Sequence, residues 1–140
     1  MIRTFEELKA AARAKGPRVV AIAAADEREV LLAAHDAEAQ GFAQCLLVGD
    51  RSTLRRIADE QGIALDGMPI VHEPEPRLAA RKVMEMVSRG EADIAMKGRV
   101  ETGDFLRVAL DKEYGLRAGR LLSHVAVFEI PGFNRLLLIT

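Results

Sequence analysis

The sequence predicts an α/β protein, a three-layer α/β/α fold with a mainly parallel sheet, followed by a C-terminal antiparallel hairpin. Three observations carry this. Short continuous apolar runs alternate with segments of helical periodicity, the pattern of buried parallel strands joined by crossover helices. Each helical segment ends at a glycine, at Gly16, Gly41, Gly62, Gly90 and Gly115. After residue 117 the alternation stops, and two strand-like runs flank Pro131-Gly132-Phe133-Asn134.

Taken in order, Thr4-Phe5-Glu6-Glu7 has the form of a capping box and opens a helix that stops at Gly16, with Pro17 beyond. VVAIAA (19–24) is the first strand. Asp26 can cap a second helix over 27–40. CLLVGD (45–50) is the second strand, and Asp50 or Ser52 starts a third helix that runs to Gln61-Gly62. MPIV (68–71) is a weaker strand. Pro76 fits the first turn of a fourth helix, closed by Gly90. ADIAM (92–96) is the fourth strand, and a fifth helix runs from Thr102 to Tyr114. Right-handed crossovers place these helices on both faces of the sheet. Residues 1–117 are expected to form one α/β domain. Residues 118–140 are expected to form a hairpin leading into a second domain that this chain lacks. The run RLLLIT (135–140) is very apolar and wants cover, from more of the same protein or from a partner.

Composition narrows the function classes. Twenty basic and 21 acidic side chains leave a formal charge of -1, with no electrostatic call on nucleic acid or an anionic membrane. One Tyr, five Phe and no Trp offer no stacking platform for bases. No apolar run is long enough to span a bilayer, and Glu6, Glu7 and Lys9 stand where a signal peptide needs apolar residues. Cys45 is the one cysteine, so an internal disulfide is impossible, which suits a reducing cytoplasm.

In open α/β sheets, ligands bind beyond the carboxyl ends of the strands. That rule selects Ala24-Ala25-Asp26, Gly49-Asp50, Val71-His72-Glu73 and Met96-Lys97-Gly98. The last is best placed for an anion. Thr102 opens a helix, whose N-terminus presents unpaired N–H groups and a positive dipole end. Gly98 and Gly103 let a ligand approach the backbone, and Lys97 and Arg99 add positive charge. Arg107, one turn further on, can reach back toward the anion position. The plainer alternative is an Asp104–Arg107 pair at i,i+3 on a solvated face. Neither G-x-G-x-x-G nor G-x-x-x-x-G-K-[ST] is present. Cys45 reads as core, His35 as surface, and Met84 and Met86 as packing. His72 follows a strand and is a weaker site candidate. No cluster has metal-ligand spacing, and Ser123-His124, as strand neighbours, point to opposite faces.

The sequence also resembles a known family, the phosphate acetyl/butyryltransferases. The residues that carry the resemblance are MKG, T-G-D-x-L-R, GLR-x-GRLLSHVAVFE-x-PG and the final LLL-x-T, with AAADEREVL and LVGD upstream. The resemblance implies two α/β domains of isocitrate/isopropylmalate dehydrogenase type with the active site between them. It implies reversible transfer of a short-chain acyl group, acetyl or butyryl, between CoA and inorganic phosphate. No cofactor is implied, since coenzyme A is a substrate, and the expected assembly is a cytoplasmic homodimer. Carried over by position, Thr102 and Arg107 match the segment contacting phosphate or acyl phosphate, and Lys97-Gly98 matches the loop before it. Ser123 matches a small polar cleft residue. Members run to about twice this length, so this chain is expected to be an N-terminal part, without the residues that activate the CoA thiol. The alternative is a non-catalytic CoA- or phosphate-binding or dimerisation module of the same fold.

Overall fold

A computed structural model describes residues 1–116, 119 and 122–140. It contains α1 (Phe5–Ala14), β1 (Arg18–Ala23), α2 (Arg28–Ala39), β2 (Ala43–Gly49), α3 (Arg51–Gln61), β3 (Ile70–His72), α4 (Pro76–Ser88), β4 (Ile94–Lys97), α5 (Thr102–Ala109), β5 (Ala126–Glu129) and β6 (Leu136–Ile139). The first four strands form one parallel sheet in the order β3-β2-β1-β4, and β5 and β6 pair antiparallel.

The apolar runs are continuous because both faces of the sheet are covered. Side chains alternate along each strand. Ile22, Cys45 and Leu47 therefore pack on one face with Leu31 and Ala34 of α2 and Leu54 and Ile57 of α3. Ala21, Ala23 and Val48 pack on the other with Ala79, Val83 and Met84 of α4 and Val108 of α5. From β1 the chain runs outward through β2 to β3. It then crosses by α4 to β4 on the opposite side of β1. The order reverses between β1 and β4, so the ligand crevice of such a sheet lies beyond their carboxyl ends.

Local chemistry sets the ends of these elements. The Thr4 hydroxyl accepts from the Glu7 N–H at 3.1 Å. The Glu7 carboxylate accepts from the Arg3 N–H at 2.6 Å, so the box is shifted by one residue. Pro76 begins α4 and the Glu75 carboxylate caps it. The fifth helix ends well before Tyr114. The Asp111 side chain accepts from the Glu113 N–H at 2.8 Å, folding a turn that competes with helix. Tyr114 instead lies under the Arg81 guanidinium of α4, 4.3 Å from ring centre.

Asp50 caps α3. Its Oδ1 accepts from the Ser52 hydroxyl at 2.6 Å and from the Thr53 N–H at 2.7 Å, and these bonds hold its pKa down to about 2. A carboxylate depressed below its unfolded value near 3.9 stabilises the fold above that pH, and the contribution is lost as pH falls through about 2. Asn caps equally without charge. Urea denaturation between pH 5 and pH 2 should therefore show the stability advantage of the wild type over Asp50→Asn shrinking with acidity.

The hairpin is joined to the start of α1, where the Phe5 N–H donates to Glu129 Oε2 at 2.7 Å. Its apolar side chains stay open to solvent, among them Phe128, Leu138 and Ile139. The strand expected over 121–130 is shorter than its pattern and begins at Ala126, so Ser123 and His124 lie outside it. The expected boundary at 117/118 lies outside the described residues.

Candidate functional site

Beyond β1 and β4 the backbone is tightly bound. The Gly98 N–H donates to the Ala23 carbonyl at 2.7 Å, and the Arg99 N–H to the Ala24 carbonyl at 3.0 Å. Ala24 has φ +49°, and among the described residues it is the one non-glycine in the left-handed region. That turn sends the chain toward Asp26, the one charged or polar residue in the interior among those described, 8% exposed. Its Oδ2 accepts from Arg99 Nη2 at 3.2 Å. The sequence allowed Asp26 to cap the second helix. Instead Glu27 takes the N-cap position of α2 with no side-chain bond, and Asp26 turns to the loop after β4.

Two glycines make room for this junction. A Cβ at Gly98 would press on the Ala24 carbonyl and stand 2.8 Å from the Ala23 carbonyl oxygen. A Cβ at Gly49 would stand 2.6 Å from Asp26 Oδ1. Neither neighbour of Gly98 can retreat, since both are backbone. Gly98→Ala should cost about 1–3 kcal/mol in urea denaturation. Gly103 faces open space, and Gly103→Ala should cost nothing.

The structure gathers Lys97, Gly98 and Thr102 in the loop and helix start after β4. Lys97 is exposed, and its Nζ donates to the Val100 carbonyl at 3.1 Å, bracing its own loop. Thr102 is the exposed first residue of α5, and Glu101 before it makes no capping side-chain bond. The helix thus opens with N–H groups that no side chain satisfies among the described residues. Arg107 turns back along α5 toward its first turn. Its Nη1 lies 2.6 Å from Asp104 Oδ1, the i,i+3 pair that spacing alone also allowed, and Asp104 stands 3.8 Å from Arg77 Nε of α4. Ser123 is exposed, and no hydrogen bond among the described residues joins it to the loop.

The remaining candidates have ordinary roles. His72 Nδ1 accepts from the Arg51 N–H at 3.2 Å, at the start of α3. Burial pushes the Cys45 thiol up to about 11, and its sulfur donates to the Ala34 carbonyl at 3.7 Å, a core position unsuited to nucleophilic attack. Sequence reasoning missed the Asp26–Arg99 pair. The one signal was an acid at the carboxyl end of a strand, which capping explained equally well.

The point where the strand order reverses, with an uncapped helix start and cations beside it, suits an anion. Comparison with known proteins identifies the family. The phosphate acetyl/butaryl transferase family model matches residues 3–85. A phosphate butyryltransferase from Clostridium acetobutylicum is 45% identical over 140 residues, covering 100% of this chain and 46% of that protein. A phosphate acetyltransferase from Thermotoga maritima is 38% identical over 136 residues, covering 97% of this chain and 46% of that protein. The chain thus spans less than half the length of these curated relatives. Among solved structures, a branched-chain phosphotransacylase from Enterococcus faecalis superposes with TM-score 0.67 at 26% identity, over 86% of this chain and 41% of that one. A phosphotransacetylase from Staphylococcus aureus, at 15% identity, shares the fold with TM-score 0.74 over 95% of this chain and 49% of that one. Because the family model covers more than half of the chain and the relatives align with nearly all of it, the chain belongs to the phosphate acetyl/butaryl transferase family.

Proposed function

We propose that the chain supplies the phosphate-holding part of a phosphate acyltransferase, which moves a short-chain acyl group reversibly between CoA and inorganic phosphate. The observation that carries this reading is the uncapped start of α5 beside Lys97-Gly98 at the reversal point of the sheet. In the proposed reaction a phosphate oxygen attacks the thioester carbonyl carbon, the C–S bond breaks, and CoA leaves as thiolate. Negative charge builds on the tetrahedral oxygen, and preorganised donors stabilise it there. The first-turn N–H groups, the Thr102 hydroxyl and the Lys97-Gly98 loop hold the phosphate. Arg107 exchanges its Asp104 partner for the acyl phosphate, and Asp104 keeps Arg77 as a second cation. Ser123 is a contact from the cleft side.

None of these residues is a suitable general base for the thiol, and that role falls to groups outside this set. CoA enters as substrate, with no further cofactor. The proposed setting is cytoplasmic and the proposed assembly a homodimer; among the described residues no helix is long and apolar enough to cross a membrane. The exposed apolar hairpin favours, as a second reading, a non-catalytic CoA- or phosphate-binding or dimerisation module.

The test is phosphate-dependent release of CoA from acetyl-CoA and butyryl-CoA. It is run on the 140-residue protein and on the longest expressible chain that contains it. Release that needs phosphate supports the acyltransferase. No release from any of these chains sinks it in favour of the module.

A further inference from the structure

We propose that Arg99, oriented by the buried Asp26 carboxylate, is a ligand for a phosphate dianion in the crevice between β1 and β4; this rests on the acyltransferase reading above. Four cations lie near the helix start, and they differ in what holds them: Arg77 of α4 stands against Asp104. The Lys97 ammonium is engaged by the Val100 carbonyl, and the Arg107 guanidinium by the partly exposed Asp104. Arg99 is held by a carboxylate whose side chain is only 5% exposed, while its own side chain is 59% exposed. A carboxylate is placed in such a position at a desolvation cost, which a charged partner offsets.

Asp26 engages one nitrogen of the fork, and Arg99 carries five N–H donors in a fixed plane. Among the described residues no second ionic partner stands against the guanidinium, and with its side chain 59% exposed the rest of the fork is open to solvent beyond β4. The backbone of Arg99 is fixed too, by its N–H bond to the Ala24 carbonyl. Arg99 is therefore anchored at both ends of the residue and open on one side, three positions before the uncapped start of α5. Asp26 does not reach the ligand; it is a positioning residue. The same fork fits inorganic phosphate or the 3′-phosphate of CoA, since both are phosphate dianions.

The test titrates inorganic phosphate, CoA and dephospho-CoA into the 140-residue protein, following backbone amide resonances of residues 98–102. A response to inorganic phosphate, or to CoA but not dephospho-CoA, supports the proposal and identifies which phosphate is held. A response to neither, or an equal response to CoA and dephospho-CoA alone, overturns it. Arg99→Ala should weaken binding about tenfold or more, and Arg99→Lys should restore part of the loss. Asp26→Asn should weaken it several-fold, whereas an effect of charge alone predicts tighter binding, because a negative charge is removed. Unchanged affinity in Arg99→Ala, or tighter binding in a folded Asp26→Asn, overturns the assignment.

Activity separates this proposal from the reading beneath it. Phosphate-dependent CoA release with normal phosphate affinity in Arg99→Ala removes Arg99 and leaves the acyltransferase. Binding lost in Arg99→Ala, in a protein that releases no CoA, does the reverse.

Discussion

Arg107→Ala is expected to slow phosphate-dependent CoA release by about two to three orders of magnitude, the range for losing one donor aimed at developing charge. The loss should fall mainly on kcat, because in the proposed reaction the guanidinium is most needed when the tetrahedral oxygen carries full charge. The fold should be unaffected. Arg107 is two-thirds exposed and its pair with Asp104 lies on a solvated helix face, where such a pair contributes little. An Arg107→Ala enzyme with near-normal kcat would leave Arg107 as a surface ion pair. Arg107→Lys keeps the charge and loses the planar fork, so it should recover only part of the rate.

Leu47→Ala is the largest stability effect expected, about 2–5 kcal/mol by urea denaturation. Leu47 sits in β2, fully buried against α2 and α3 on the same face as Ile22 and Leu31. Truncation leaves a void in the middle of the larger cluster, with β1 and β3 fixed on either side by the ladder. Ile94→Ala is the contrast. Ile94 lies on the edge strand β4 and is 47% exposed, so its loss should cost under about 1 kcal/mol. Equal losses at the two positions would mean that the edge of the sheet is covered in solution.

The order of strands and helices was legible because each signal had a local cause. Gly62 closes α3 in the left-handed conformation its place in the pattern requires, and Pro76 opens α4 where a missing N–H costs nothing. The ends of elements were less legible where a side chain had two partners to choose from. Asp111 could extend a helix or fold a turn, and Asp26 could cap a helix or meet an arginine. Such choices depend on contacts between segments far apart in the chain, and spacing alone does not encode them. The carboxyl edge of the parallel sheet was legible from the strand pattern. Which of its cations would be held by which acid was not.

The placement of β1 has a consequence for how the crevice comes into being. Val20 pairs with Cys45 on one side and with Ile94 on the other, so the second pairing closes about three times as much chain. The extra closure entropy is only about 1 kcal/mol, but it is spent before any β4 contact is gained. The β1–α2–β2 unit can therefore assemble early, while β4 joins after α4 has formed and docked. The bonds from Gly98 to Ala23 and from Arg99 to Ala24 and Asp26 belong to that later pairing. The proposed phosphate site is thus completed at the end of folding, and it is the first part to be lost when the edge of the sheet opens.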